Sequence, residues 1–347
     1  MRFSLFSVAT VVATSVVIQA VQATPVKFRR AYPDDDSSTS CRAVKFTDIV
    51  VFGDSYADNG NTYKLTKQQW PGPKYYHGRF SNGYVWPEYV AEHKGYQHAN
   101  YAYDGATSDN RLVQGYTGPK ADIPVPGFWQ QIQLYHEHYN GQHDSKKLED
   151  TLFLINFQGY DYHFKDDLEI AVVIKHYEQG LRWLIEMGAK HIYVIGGVDV
   201  TKTPYTLTEH GNTDQDEIHA FVVKHLEAFK HLVQKLHYEY GRPASDEKPF
   251  QWCPADYKYL YDHAHSDRKT FSHHVNVAWF DTEAVLEWLR TTPSALEKLG
   301  ITNLVKGCYN AGDHTVCPTP DKYFYWDSFH LTTKVHEVVA YAIENYL

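Results

Sequence analysis

The segment Phe46-Thr47-Asp48-Ile49-Val50-Val51-Phe52-Gly53-Asp54-Ser55 decides the fold. Its first seven residues form a short, apolar, β-branched run that stops at a glycine, the pattern of a strand buried on both faces. Three later runs repeat it: Thr151–Phe157 (TLFLINF), Lys190–Ile195 (KHIYVI, followed by Gly196-Gly197) and Val275–Phe280. Helical spacing lies between them. Asp166–Gly188 carries Leu168, Val172, Tyr177, Leu181, Leu184 and Ile185, with acids at its start and Gly188 after its end. Asp214–Tyr240 carries Ile218, Phe221, Val222, Leu226, Phe229, Val233 and Leu236 and closes at Gly241. Shorter helices are predicted over Ala57–Thr66 and Tyr84–His93, and a terminal one over Leu331–Tyr346, while Trp70–Gly83, rich in Pro and Gly, reads as a loop. Such alternation predicts an α/β class, a mostly parallel sheet covered by helices on both faces. Ligands of these sheets gather at the carboxyl ends of the strands.

Outward from this frame, the chain has 347 residues and a formal charge of −9. That length is ample for a buried core. No run of five basic residues occurs, so a reader of phosphate backbones is not expected. A mean hydropathy of −0.50, with a single long apolar run, argues against an integral membrane protein. That run is at the N-terminus: Arg2, an apolar stretch over Val8–Ile18, then Val21-Gln22-Ala23, the layout of a secretory signal over residues 1–23. The alternative, a membrane anchor, suits so short and broken a stretch poorly. Residues 24–43 hold Arg29-Arg30 and Asp34-Asp35-Asp36 without periodicity and read as a flexible or removable leader. The remainder, 44–347, reads as one domain with a polar insertion near 242–270. Export permits disulfides. Of four cysteines, Cys308 and Cys317 lie close in sequence around a polar loop and are expected to pair, leaving Cys41 with Cys253.

Chemistry points to Gly53-Asp54-Ser55. A serine at the carboxyl end of a buried strand, ahead of a helix, can face a cleft together with the next backbone N–H groups. It needs a base. Asp327-Ser328-Phe329-His330 supplies one at the far end of the chain: in a tight turn the carboxylate can fix one ring nitrogen of the histidine and leave the other to take the serine proton. Asp54 is expected to bond the turn and Asp58 to cap or brace the following helix. His336, six residues beyond His330, is expected to face solvent.

These residues carry a family resemblance. Phe52-Gly53-Asp54-Ser55-Tyr56-Ala57-Asp58-Asn59-Gly60-Asn61 resembles the first signature block of the GDSL, or SGNH, esterase/lipase superfamily. Gly78-Arg79-Phe80-Ser81-Asn82-Gly83-Tyr84-Val85-Trp86 resembles the loop that follows it in exported acetylesterases and plant-type lipases. Asn100-Tyr101-Ala102-Tyr103-Asp104-Gly105-Ala106-Thr107 resembles the second block, and Trp326–His336 the last. The likeness runs in family order from about Phe46 to Leu347 and is nearest in look to the secreted acetylesterases of carbohydrate esterase family 16. It implies a flavodoxin-like three-layer α/β/α sandwich and hydrolysis through an acyl-serine. Ser55 matches the nucleophile, Asp327 and His330 its orienter and base, and the N–H groups of Ser55 and Gly105 two oxyanion donors. The third block departs. Where the family has Gly-x-Asn-Asp, this chain has Gln158-Gly159-Tyr160-Asp161, so Tyr160 replaces an amide donor. A phenol can donate but reaches further, and Asn156 and Gln158 are the other candidates.

The resemblance predicts a secreted serine esterase removing short, acetyl-type acyl groups from plant-type carbohydrate, with no cofactor and no metal. Its rivals are a lipase or lysophospholipase of the same superfamily and a non-catalytic binder retaining the fold. The composition includes 28 Tyr and 8 Trp; Trp70, Tyr75, Tyr76, Trp129 and Tyr162 are candidates for a sugar platform, against plain packing. The histidine pairs His136/His138, His263/His265 and His273/His274 are weak metal signals.

Overall fold

The computed structural model describes residues 46–138, 145–209, 215–241 and 275–347. The signal, the leader, the insertion near 242–270, the pairs His263/His265 and His273/His274, and the Cys41–Cys253 pairing all lie outside the described residues.

Five parallel strands form the central sheet: β1 (Asp48–Gly53), β2 (Gln97–Asn100), β5 (Thr151–Asn156), β6 (His191–Ile195) and β7 (Asn276–Phe280). They lie in the order β2-β1-β5-β6-β7. Two of the numbers between belong to a small antiparallel pair, β3 (Gly115–Thr117) and β4 (Ile123–Val125). Four of the five are the apolar runs of the sequence. β2 is not: Gln-His-Ala-Asn is polar, half-exposed and at the edge, so it carries no hydrophobic signal.

Alternate strand residues face opposite layers. Val50, Phe52, Phe153, Ile155, Ile192, Val194 and Val277 bury one face under α3 (Phe128–His138), α6 (Ile170–Glu186) and α7 (Gln215–Tyr240), where Phe128, Ile132, Tyr177, Leu181, Phe229 and Val233 meet them. The other face meets the terminal helix α10 (Thr333–Tyr346), whose Tyr346 ring packs on Tyr193 and Phe280; α10 in turn packs on α2 (Trp86–Lys94). The result is the three-layer α/β/α sandwich of the flavodoxin-like class. Shorter helices are α1 (Asn61–Leu65), α4 (Ser145–Glu149), α5 (Tyr160–Phe164), α8 (Thr282–Thr291) and α9 (Pro293–Leu299).

The helix read over Ala57–Thr66 is reduced to α1. Asp58 sets its start, accepting from the N–H groups of Gly60, Asn61 and Thr62. His336 is a correction: it is buried on the α2 side of α10, and its Nδ1 accepts from the Trp86 N–H at 3.3 Å. Burial, with His330 nearby, pushes it down to about 3, so it is neutral.

Sheet order reverses between β1 and β5, and there the crevice of this topology opens. Gly53 ends β1 directly against Asn156 at the end of β5, where a Cβ would lie 2.6 Å from the Asn156 carbonyl oxygen. The Gln131 side chain of α3 clamps this end, accepting from the Gly53 N–H and donating to its carbonyl.

The C-terminal quarter adds β8 (Asn303–Gly307) pairing with β11 (Tyr323–Tyr325), and β9 (Tyr309–Asn310) pairing with β10 (Thr315–Val316). The Cys308–Cys317 disulfide closes the second pair, as expected.

Candidate active site

Ser55 follows β1 at the reversal point and is 1% exposed. Its turn is held by Asp54, which accepts from the N–H groups of Tyr56 and Gln158, tying the loop after β1 to the loop after β5. Burial raises the Asp54 carboxyl to about 7, against those two hydrogen bonds, and the nearby Asp104 adds to the effect.

From the other end of the chain, residues 326–330 return to the same place. The Trp326 N–H bonds to the His330 carbonyl, closing a tight loop. Inside it Asp327 Oδ1 accepts from the N–H groups of Phe329 and His330 at 2.8 and 2.7 Å. His330 Nδ1 stands 2.8 Å from Asp327 Oδ2, and His330 Nε2 stands 3.0 Å from Ser55 Oγ. A ring nitrogen facing a carboxylate carries the proton, so Nε2 is left as the acceptor facing the serine hydroxyl. The Phe80 and Tyr56 rings flank the imidazole, and the Tyr56 hydroxyl donates to the Phe329 carbonyl.

Burial pulls the His330 imidazolium down, but Asp327, with Asp104 and Asp54 behind it, outweighs burial and carries the group above 6.5. Burial works on Asp327 in the opposite sense and is likewise outweighed, by His330 and the two backbone N–H groups, so this carboxyl lies below the usual range.

Gly105 closes the other side of the crevice. Its φ is +81°, and a Cβ there would lie 2.1 Å from the Tyr116 carbonyl oxygen of β3, so only glycine fits. Among the described residues, neither the Ser55 nor the Gly105 N–H donates to another protein group.

Tyr160, the first residue of α5, places its hydroxyl 3.5 Å from Ser55 Oγ. At rest it donates to Asp104 at 3.0 Å. Trp70 Nε1 and the Thr117 hydroxyl donate to the other oxygen of Asp104. Burial, then Asp104 and Asp54, push the Tyr160 phenol well above its ordinary value, so it keeps its proton. Of the other two candidates, Asn156 is engaged elsewhere, donating to the Ile195 carbonyl. Gln158 is engaged through its side-chain oxygen, which accepts from the Val198 N–H, while its buried Nε2 has no partner among the described residues.

The aromatic platform read from sequence is mostly absorbed by packing. Trp70 and Tyr75 bond to Asp104 and Asp327. Trp129 lies between Arg111 and Trp183, and Tyr162 bonds His225. Tyr76 alone of the five is exposed. Asp104, beside Gly105 in the second block, Tyr75 and Gln131 are site-building residues whose contacts the sequence reading does not assign. Among the described residues no group of three or more His, Cys, Asp or Glu side chains has metal-holding geometry, and no helix is long and apolar enough to cross a membrane.

A model of the GDSL-like lipase/acylhydrolase family matches residues 49–343. Among curated proteins, the chain is 26% identical over 308 residues to a thermolabile hemolysin of Vibrio parahaemolyticus, a match covering 84% of this chain and 62% of the hemolysin. It is 25% identical over 366 residues to a GDSL esterase/lipase of Arabidopsis thaliana, covering 89% of this chain and 87% of that one. Among solved structures, a catalytic mutant of an acetylxylan esterase from Geobacillus stearothermophilus aligns over 88% of this chain and 95% of its own, at 12% identity and a TM-score of 0.39.

Proposed function

Because the chain belongs to the GDSL-like lipase/acylhydrolase family and is a carboxylic ester hydrolase, we propose that it cleaves short-chain esters, acetyl esters foremost, of plant-type carbohydrates through an acyl-Ser55 intermediate. The observation that carries this reading is the chain of contacts from Asp327 Oδ2 to His330 Nδ1 and from His330 Nε2 to Ser55 Oγ, at 2.8 and 3.0 Å.

The residues then divide the reaction among them. His330 Nε2 takes the hydroxyl proton as Ser55 Oγ bonds to the ester carbonyl carbon. Asp327 holds the tautomer and stabilises the imidazolium. The uncommitted N–H groups of Ser55 and Gly105 receive the developing oxyanion. Tyr160 is the third donor: rotation about its C–O bond moves the proton from Asp104 toward the oxyanion. The tetrahedral adduct breaks its bond to the leaving alkoxide, which takes the proton from His330. Water, deprotonated by His330, then attacks the acyl-serine and frees the acid and Ser55.

Two features support a short acyl group and a polar leaving group. A phenol stands beside the nucleophile where the family pattern has a smaller amide. The sequence also offers no apolar lid such as a lipase at an oil interface would want. A second reading, a lipid ester, is favoured by Phe329, 36% exposed beside His330 and packed against the Tyr205 ring, and by the relative named a hemolysin. Rates on p-nitrophenyl esters of increasing chain length, beside an acetylated xylo-oligosaccharide and a lysophospholipid, separate the two. The first reading expects acetyl to be fastest and acetate to be released from the oligosaccharide. A preference for long chains, with release of fatty acid, overturns it. The same proposal takes residues 1–23 as an export signal, 24–43 as a leader and 44–347 as one hydrolase domain with its insertion near 242–270.

The base role sets a pH dependence. His330 acts only when neutral, and its pKa is raised, so kcat/KM on an uncharged ester falls as pH drops through a value above 6.5. A profile flat from pH 5 to 8 contradicts the role.

A further inference from the structure

Tyr75 comes from the Pro/Gly-rich loop, 252 residues away from Asp327, yet its hydroxyl donates to Asp327 Oδ2 at 2.7 Å. That oxygen is the one nearer His330 Nδ1. A carboxylate has about four acceptor sites. Here two backbone N–H groups, the imidazole and Tyr75 fill them, and among the described residues Tyr75 is the single donor from outside the turn of residues 327–330.

The ring is braced as well. It packs edge-on against Tyr309 at 5.3 Å and also touches Phe80 and Trp326. Tyr309 stacks on Trp326, its N–H bonds the Trp326 carbonyl, and it sits next to Cys308 in the loop closed by the Cys308–Cys317 disulfide. The polypeptide just before Asp327 and the phenol on Asp327 therefore share one support.

Resting on the triad reading above, we propose that Tyr75 is a positioning residue of the reaction: its phenol, braced by the disulfide-closed loop, fixes the rotation of the Asp327 carboxylate and tempers the basicity of His330. A hydrogen bond donated to a carboxylate disperses its charge. Without it the charge is less shared, the imidazolium is held more strongly, and the base works only at higher pH. The other groups facing this pair do not change with Tyr75. Asp54 and Asp104 raise His330 from the β1 and Gly105 sides. Tyr56, Tyr160 and Tyr309 keep their protons, and His336 on α10 is neutral.

Tyr75→Phe keeps the ring and its packing and removes only the hydroxyl, so the fold is expected to stand. The pH dependence of kcat and KM is measured for this variant and for the unchanged enzyme. The acid limb of kcat/KM is expected to move to higher pH by about half a unit. The plateau kcat is expected to fall by about threefold to tenfold through looser positioning, with KM unchanged. In an Asp327→Asn background, where the charge is gone, Tyr75→Phe is expected to leave the limb where it was. A folded Tyr75→Phe enzyme with its limb at the original pH, or an equal shift in the Asp327→Asn background, overturns the proposal. Loss of the acid limb in the unchanged enzyme would instead defeat the triad reading, so the two failures are distinct.

Discussion

Ser55→Ala is expected to lower kcat on an acetyl ester by about 10⁴- to 10⁶-fold, with KM little changed. The size follows from what the substitution leaves behind. The N–H groups of residue 55 and Gly105 still face the crevice, so the variant binds ester and stabilises an oxyanion but has nothing to attack with. The fold should tolerate the change. Ser55 Oγ bonds to His330 and approaches Tyr160, and Tyr160 keeps Asp104 as its acceptor when the hydroxyl is gone. Steady-state kinetics with circular dichroism on the same preparation checks this. A folded variant that loses less than about tenfold means that the nucleophile is elsewhere or that water attacks directly.

Asp327→Asn is expected to cost about 10⁴-fold in kcat, for a different reason. Four donors converge on the two carboxylate oxygens of Asp327, and an amide offers them one oxygen and an NH2. The histidine then prefers the tautomer with its proton on Nε2, which faces Ser55 and can no longer accept. The shift of His330 reverses direction with it. With the carboxylate present, its charge outweighs burial and the imidazole is raised; with the carboxylate gone, burial is the larger influence. Residual activity should therefore persist to lower pH than in the unchanged enzyme. Kinetics from pH 5 to 9 test both parts. An unchanged limb beside a large loss in kcat removes Asp327 from the account of His330.

The frame was legible where burial leaves a pattern. β1, β5, β6 and β7 are packed on both faces, so each reads as an apolar run, and α6 and α7 show their buried stripes. β2 is a polar, partly exposed edge strand (Gln-His-Ala-Asn), so it leaves no apolar run to read. α3 carries Phe128, Ile132 and Tyr135 at helical spacing, a usable signal that the loop-like residues around it obscured. α8 and its Asp281 cap were likewise readable.

Within the site, Ser55, Gly105, Asp327 and His330 stand in motifs because each is tied to a short local geometry: a strand end, a turn that admits only glycine, a tight loop. Tyr75, Asp104 and Gln131 act across 13 to 252 residues through loops and side chains, as with Thr117 on Asp104 and Tyr75 on Asp327. No local spacing encodes such contacts. His336 was misread for a related reason. Sequence separation from His330 does not give the facing of His336: α10 begins at Thr333, and the ring turns inward to meet α2.

The central claim is that Ser55 is the nucleophile and His330 activates it. The most direct test is to treat the folded enzyme with a fluorophosphonate, digest it and locate the adduct by mass spectrometry across a pH series. The account predicts one modified residue, Ser55, with a labelling rate that falls in acid along the same limb as kcat/KM. An enzyme that hydrolyses esters while Ser55 stays unmodified, or that is labelled at another serine, would contradict it.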